Sequence, residues 1–221
     1  MTKIDVSRFV ERERITVDVE VLTPMFLGGA DGNAELRPAP FKAALRYWWR
    51  VLYGGNNLKE IEEKIFGCTD YASSFSMVVT GSVKPKRGKP ANGTKFKVTS
   101  KSKGNTFFID IIDYLCFGIC EKNNYKYTHI PINTPFTLIL SNLKEDYKEE
   151  ITNSLKALLR YGGVGGRARN GMGSLYSSFA NDFDITKFFK GKIKNLLLQI
   201  KKRRFSKEQP FIINLLKHFL K

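Results

Sequence analysis

The 221-residue chain is short of three residue types, and each shortage excludes something. Its three cysteines, Cys68, Cys116 and Cys120, are too few and too odd in number for a disulfide framework, which fits a reducing, cytoplasmic setting. Its two histidines, His129 and His218, lie far apart and no Cys-x-x-Cys pair accompanies them, so a zinc site is not expected. Acids are also scarce: 37 Lys and Arg face 21 Asp and Glu, leaving a net charge of +16. No apolar run is long enough to span a bilayer. The stretch near 111–120 is broken by Asp113 and Gly118, and Glu121 closes it. The first residues, MTKIDVSRFVERER, are charged from the start and contain no apolar core of a secretory leader.

What is present describes a globular protein with a polyanionic partner. Apolar residues make up 42% and aromatics 13%, enough for one sizeable core. The cationic surplus points to nucleic acid first and an acidic membrane surface second. Much of it is concentrated at one end. Residues 185–221 carry eleven Lys and Arg against the single acid Glu208. Their apolar residues (Ile193, Leu196, Leu197 and Ile200, then Phe211, Leu215 and Phe219) have helical spacing, broken at Pro210. The expected organisation is therefore a body over 1–182 and a basic helical appendage over 183–221. The appendage lacks a concentrated set of aromatic anchors, which argues against a membrane-surface role.

Within the body, RITVDVEVL (14–22) alternates as a half-buried strand. A Gly- and Pro-rich loop follows. FKAALRYWWRVLY (41–53) reads as a helix closed by Gly54-Gly55, and 58–66 as a second, short helix with Leu58, Ile61 and Ile65 inward. Strands are expected at 75–84 and 134–140, with a Lys/Gly/Pro-rich hairpin tip or mobile loop at 85–104. A helix is expected at 144–160 and a last strand at 174–180. With the inserted short helix set aside, the order is strand, helix, strand, strand, helix, strand. That is an α+β, ferredoxin-like (RRM-like) βαββαβ plan. The RNP aromatic signature of a standard RNA-recognition domain is absent.

Two segments carry chemistry. In the helix, Lys42, Arg46 and Arg50 follow at i, i+4 and i+8 and form a basic ridge suited to phosphates. Arg37 lies just before it. Trp48, inside the apolar stripe, reads as core. The second segment is YGGVGGRARNGMGSL (161–175), with Gly162, Gly163, Gly165 and Gly166 preceding Arg167, Arg169 and Asn170. Glycines allow close backbone approach to an anion, and arginines supply forked donors for phosphate oxygens. The segment lacks the Gly-Lys-[Ser/Thr] end of a P-loop, and it follows a helix and precedes a strand, the reverse of a dinucleotide fingerprint. A nucleotide cofactor is therefore not expected, and an RNA backbone suits it better.

TPMFLGGADGNAELRPAPFKAALRYWWR resembles the N-terminal motif of the first-subunit family of the Cmr complex, the type III-B CRISPR effector. EKIFG (63–67) is similar to that family's Ile-Phe-Gly turn, and GGVGGRARNGMGSL to the glycine-rich loop of the RAMP superfamily. Ala43 stands where the family usually has glycine, and many members carry a second ferredoxin-like half. The resemblance implies a non-catalytic subunit for antiviral defence. It would bind guide RNA near its 3′ end and target RNA, beside other RAMP subunits, with no cofactor and no small-molecule substrate. It also implies RNA contacts from Lys42, Arg46, Trp49 and the glycine loop with Arg167 and Arg169. The alternative is a RAMP endoribonuclease, with His129 as a general acid or base or Asp31 in a metal-assisted role. A lone loop histidine and an Asp-Gly turn residue are each commonly structural.

Overall fold

The computed structural model describes residues 13–29, 31–55, 57–90, 93–100, 104–121 and 124–189. The elements in chain order are β1 (Arg14–Val21), α1 (Pro38–Tyr53), α2 (Leu58–Phe66), β2 (Ser76–Thr80), β3 (Lys95–Thr99), β4 (Thr106–Asp110), α3 (Ile111–Leu115), β5 (Cys120–Glu121), β6 (Asn124–Tyr125), β7 (Pro135–Ser141), α4 (Glu145–Tyr161) and β8 (Leu175–Tyr176). By compactness the chain divides at Phe183/Asp184. The basic residues of the expected appendage beyond 189 lie outside the described residues.

The main sheet is antiparallel, in the order β2-β7-β1-β8. Counting only its own strands, that is 2-3-1-4, with α1 crossing from the first strand to the second and α4 from the third to the fourth. This is the split βαβ arrangement that the sequence order implies. The period-2 pattern of β1 and β7 decides which face is covered. Val17 pairs with Leu138 and Val19 with Phe136, and all four are buried. The opposite face carries polar pairs such as Thr137 Oγ1 donating to Asp18 Oδ1 at 3.0 Å. Onto the buried face pack Phe41, Leu45 and Trp49 of α1 and Ile151, Leu155, Leu158 and Leu159 of α4. Each large apolar side chain buried this way contributes about 1.5–3 kcal/mol.

Several boundaries differ from the sequence expectation. Helix α1 begins at Pro38, not at residue 41, because Pro38 and Pro40 occupy its first turn, where no N–H is required. In α2, Ile61 is exposed while Glu62 and Phe66 are buried with Ile65, so the covered face is rotated from Leu58-Ile61-Ile65. The 85–104 segment is not simply a loop: β3 pairs with β4 from Lys95↔Asp110 to Thr99↔Thr106. The last strand shrinks to Leu175–Tyr176, because Ser177 leaves the ladder and caps a 3₁₀ turn over Ser178–Ala180.

A second, smaller apolar cluster positions the candidate site. Phe26, Cys116, Ile119, Tyr125 and Met172 pack together, with Ile112 and Leu115 against them. It joins the segment after β1, the excursion through α3, and the glycine-rich loop.

Candidate nucleic-acid interface

The expected basic ridge exists, and it is partly neutralised. Lys42, Arg46 and Arg50 line a groove of about 660 Å³ together with Gly67, Cys68 and Tyr71. The buried carboxylate of Glu62, presented by the rotated face of α2, takes Arg50 Nε at 2.6 Å and Arg50 Nη2 on its other oxygen. It also lies 3.0 Å from Arg46 Nε. Arg46 Nη2 donates to Gly67 O at 2.9 Å, and its guanidinium stacks over Phe66. One acid thus holds two arginines, and the forked bond to Glu62 pushes the Arg50 pKa up further. Lys42 sits with its ammonium 5.3 Å from the centre of the Phe75 ring, and burial, with Arg46 nearby, lowers its pKa. Arg37 lines neither this groove nor the next. It donates to Gly28 O at 2.7 Å and faces Glu35, bracing the loop before α1.

The two tryptophans differ in burial from what was expected of them. Trp49 is 1% exposed, packs edge-on against Phe66, and donates its Nε1 to Glu150 Oε2 at 2.7 Å. It is a core residue and offers no ring to a ligand. Trp48, expected in the core, packs against it but is only partly buried and also reaches the surface groove described next.

The glycine-rich loop is a fixed turn. Val164 N donates to Gly173 O, Gly166 N to Phe26 O and Gly173 N to Pro24 O, all within 2.8–3.0 Å. Those N–H groups are therefore spent inside the protein and are not offered to an anion, contrary to the sequence expectation. The glycines serve close approach. A Cβ on Gly173, at φ +68°, would lie 2.0 Å from Val164 O, and one on Gly165, at φ +97°, 2.4 Å from Phe26 O. Gly163 pairs with Ser174, and Gly162 closes α4 by donating to Leu158 O, with Trp48 Nε1 close against it. Asn170 is likewise structural: its Nδ2 donates to Leu115 O at 2.8 Å.

The side chains that remain available are Arg167 and Arg169, both exposed. Neither has a carboxylate partner among the described residues. They meet different surroundings. Arg169 lines a groove of about 560 Å³ with Tyr47, Trp48, Tyr161, Gly162 and Ser174. Arg167, at φ +62°, lays its guanidinium against Gly118. The sequence reading missed Tyr47 and Tyr161, which are 55% and 46% exposed. Tyr47 adjoins the tryptophan pair and Tyr161 opens the glycine segment, so adjacency to both motifs was the signal. Trp48 makes an edge contact with Tyr47 at 5.9 Å and a tilted one with Tyr161 at 6.4 Å. Planar rings beside an arginine that has no carboxylate partner among the described residues suit a nucleobase and its phosphate.

The residues considered for catalysis fall elsewhere. His129 is 2% exposed against Phe26, its Nδ1 has no hydrogen-bond partner, and burial lowers its pKa. Asp31 accepts from Asn33 N and Asn33 Nδ2 in a turn, and those bonds lower its pKa. Among the described residues no group of three or more His, Cys, Asp or Glu could hold a metal ion. Likewise, no helix there is long and apolar enough to cross a membrane.

Comparison with known proteins matches the RAMP superfamily over residues 18–176. The CRISPR system Cmr subunit Cmr1-2 of Pyrococcus furiosus is 33% identical over 178 residues, which cover 72% of this chain and 91% of that protein. Subunit Cmr1-1 of the same organism is 32% identical over 147 residues, 64% of this chain and 40% of that longer protein. The crystal structure of apo Cmr1 from P. furiosus superposes with a TM-score of 0.52 at 23% identity, over 84% of this chain and 58% of that one. At that identity the likeness is one of fold. The chain thus spans nearly all of one curated relative and less than half of the other.

Proposed function

The chain belongs to the RAMP superfamily and, within it, to the Cmr1 subunit family, and from that premise we propose that it is a non-catalytic, RNA-holding subunit of a type III-B CRISPR (Cmr) effector. Its ligand is the single-stranded guide RNA near its 3′ end and the target RNA paired with it. Its protein partners are other RAMP subunits of the complex, and its role is antiviral defence inside the cell.

One observation carries the reading. The two motif segments, more than a hundred residues apart in sequence, form one surface: Trp48 and Tyr47 of α1 and Arg169 of the glycine loop line a single groove. Exposed rings and an arginine with no acid partner among the described residues support stacking plus phosphate contact. A net charge of +16 favours a polyanion throughout. The burial of His129 and the turn bonds of Asp31 favour binding over cleavage.

The test is a titration of end-labelled single-stranded RNA at low and high salt, with the same samples run on a denaturing gel. Expected are salt-sensitive binding and intact RNA. The Arg167→Glu, Arg169→Glu double variant should bind several tens-fold more weakly while remaining folded. A flat salt response, or cleavage of the RNA at a defined place, would overturn the reading.

A further inference from the structure

Beyond the groove at Trp48, the excursion through α3, against which the glycine loop packs, carries a second pair of rings. Helix α3 is a single turn whose apolar residues divide. Cys116 is fully buried, and Ile112 and Leu115 pack on the cluster around Phe26. Tyr114 and Phe117 point outward and are 64% and 73% exposed. Two large exposed rings a few residues apart gain by being covered when a ligand binds. The turn that bears them is held rigidly. Asp110 caps it by accepting from Ile112 N at 2.9 Å, and Tyr125 OH donates to Asp113 Oδ1 at 2.7 Å.

The glycine loop is pinned to this turn by two contacts. Asn170 Nδ2 donates to Leu115 O at 2.8 Å. The Arg167 guanidinium lies where a side chain on Gly118 would be, since a Cβ there would come 2.2 Å from Arg167 Nη2. The left-handed backbone at Arg167 is stabilised by Asn170 N and Met172 N, which donate to its carbonyl at 2.8 and 3.3 Å. The Arg167 guanidinium, with no carboxylate partner among the described residues, therefore lies against the residue that follows Phe117 in the chain. A forked cation adjoining exposed aromatic faces matches a nucleotide of a single strand, with its phosphate on the arginine and its base on the rings.

We propose that Tyr114, Phe117 and Arg167 form a second base-stacking site, so that a single RNA strand crosses the glycine loop with two of its bases stacked: one at Trp48 and Arg169, another at Phe117 and Arg167. This rests on the RNA-holding reading above and adds to it a site and a mode of recognition. Recognition here is of the base as a ring, so it tolerates any base and fails where the base is missing.

The experiment titrates the full chain with a labelled single-stranded adenylate oligomer and with the same backbone carrying a run of abasic sites. Four proteins are compared: the unaltered chain, the Tyr114→Ala, Phe117→Ala double variant, the conservative Phe117→Trp, and Arg167→Ala. The double variant should bind the adenylate strand roughly tenfold or more weakly, in line with what one or two stacked bases contribute, and bind the abasic strand as before. Phe117→Trp should keep full affinity and have its added indole emission quenched by RNA. Arg167→Ala should weaken both strands. Because both rings are exposed, the variants keep the core, which a thermal melt checks. If the double variant binds both strands like the unaltered chain, or loses both equally, the stacking site is overturned while the RNA-holding reading stands. If the unaltered chain binds neither strand, that reading falls and this site falls with it.

Discussion

The Trp49 indole donates to Glu150 Oε2 at 2.7 Å, joining α1 to α4 above the sheet. Both helices cover the buried face of the β1–β7 pair, and this partly buried bond ties one to the other. Trp49→Ala should destabilise the chain by about 3–5 kcal/mol, the usual cost of truncating a buried large ring. Trp49→Phe should cost less, yet still leave Glu150 without its donor. Urea unfolding measures both. By contrast, Trp48→Ala should cost less stability than Trp49→Ala, because Trp48 is only partly buried against the core, and should weaken RNA binding. Reversed outcomes would put Trp49 back at the interface.

Glu62 decides how much of the basic ridge is free. Its carboxylate holds Arg46 and Arg50 at once from a nearly buried position. Both arginines are partly exposed to solvent, so the loss in Glu62→Gln should be moderate, about 1–2 kcal/mol by thermal melting. The same variant should bind RNA more tightly, because the two guanidiniums lose their internal anion. Weaker binding would mean that Glu62 aims the arginines at the ligand.

His129 should make stability fall in mild acid. Unfolded, its imidazole titrates near 6.5; folded, burial and then Lys86 hold it lower. Above the unfolded value the ring is neutral in both states, and stability is undiminished. Below it, the unfolded chain takes up a proton that the folded chain resists, so stability drops until pH reaches the lowered folded value. Melting temperatures at about pH 7.5 and about pH 5.5 should therefore differ more for the native chain than for His129→Phe. Equal differences would show that the buried ring is protonated without penalty.

Two glycines of the loop separate conformational cost from steric cost. Gly171, at φ +85°, has nothing within 4 Å of where a Cβ would stand, whereas at Gly173 that point is 2.0 Å from Val164 O. Gly171→Ala should cost only the left-handed penalty, about 1–2 kcal/mol. Gly173→Ala should cost clearly more and should also weaken RNA binding, since it displaces the turn that sets Arg167 and Arg169. Urea midpoints and one RNA titration of each variant check this.

What could be read from the sequence was local and periodic. The alternation of β1 and β7, the helical spacing of α1 and α4, the i, i+4, i+8 ridge and the density of glycine at 162–173 are properties of short windows, and they are enough to imply the βαββαβ order. The β3–β4 ribbon was also locally signalled, by Phe96 and Val98 alternating with Lys95 and Lys97, but the Lys- and Gly-rich flanks concealed it.

Tertiary structure alone decided which way each element faces and which charge is already taken. The rotation of α2 that hides Glu62 and exposes Ile61 depends on what α1 presents to it. The full burial of Trp49 and the partial burial of Trp48 depend on where α4 lies. The glycines proved necessary because the loop runs against Phe26 and Val164, a contact between segments far apart in sequence or folded back on themselves. Burial and ion pairing are sums over neighbours in space. A sequence window contains the periodicity of a face, but not the partner that covers it.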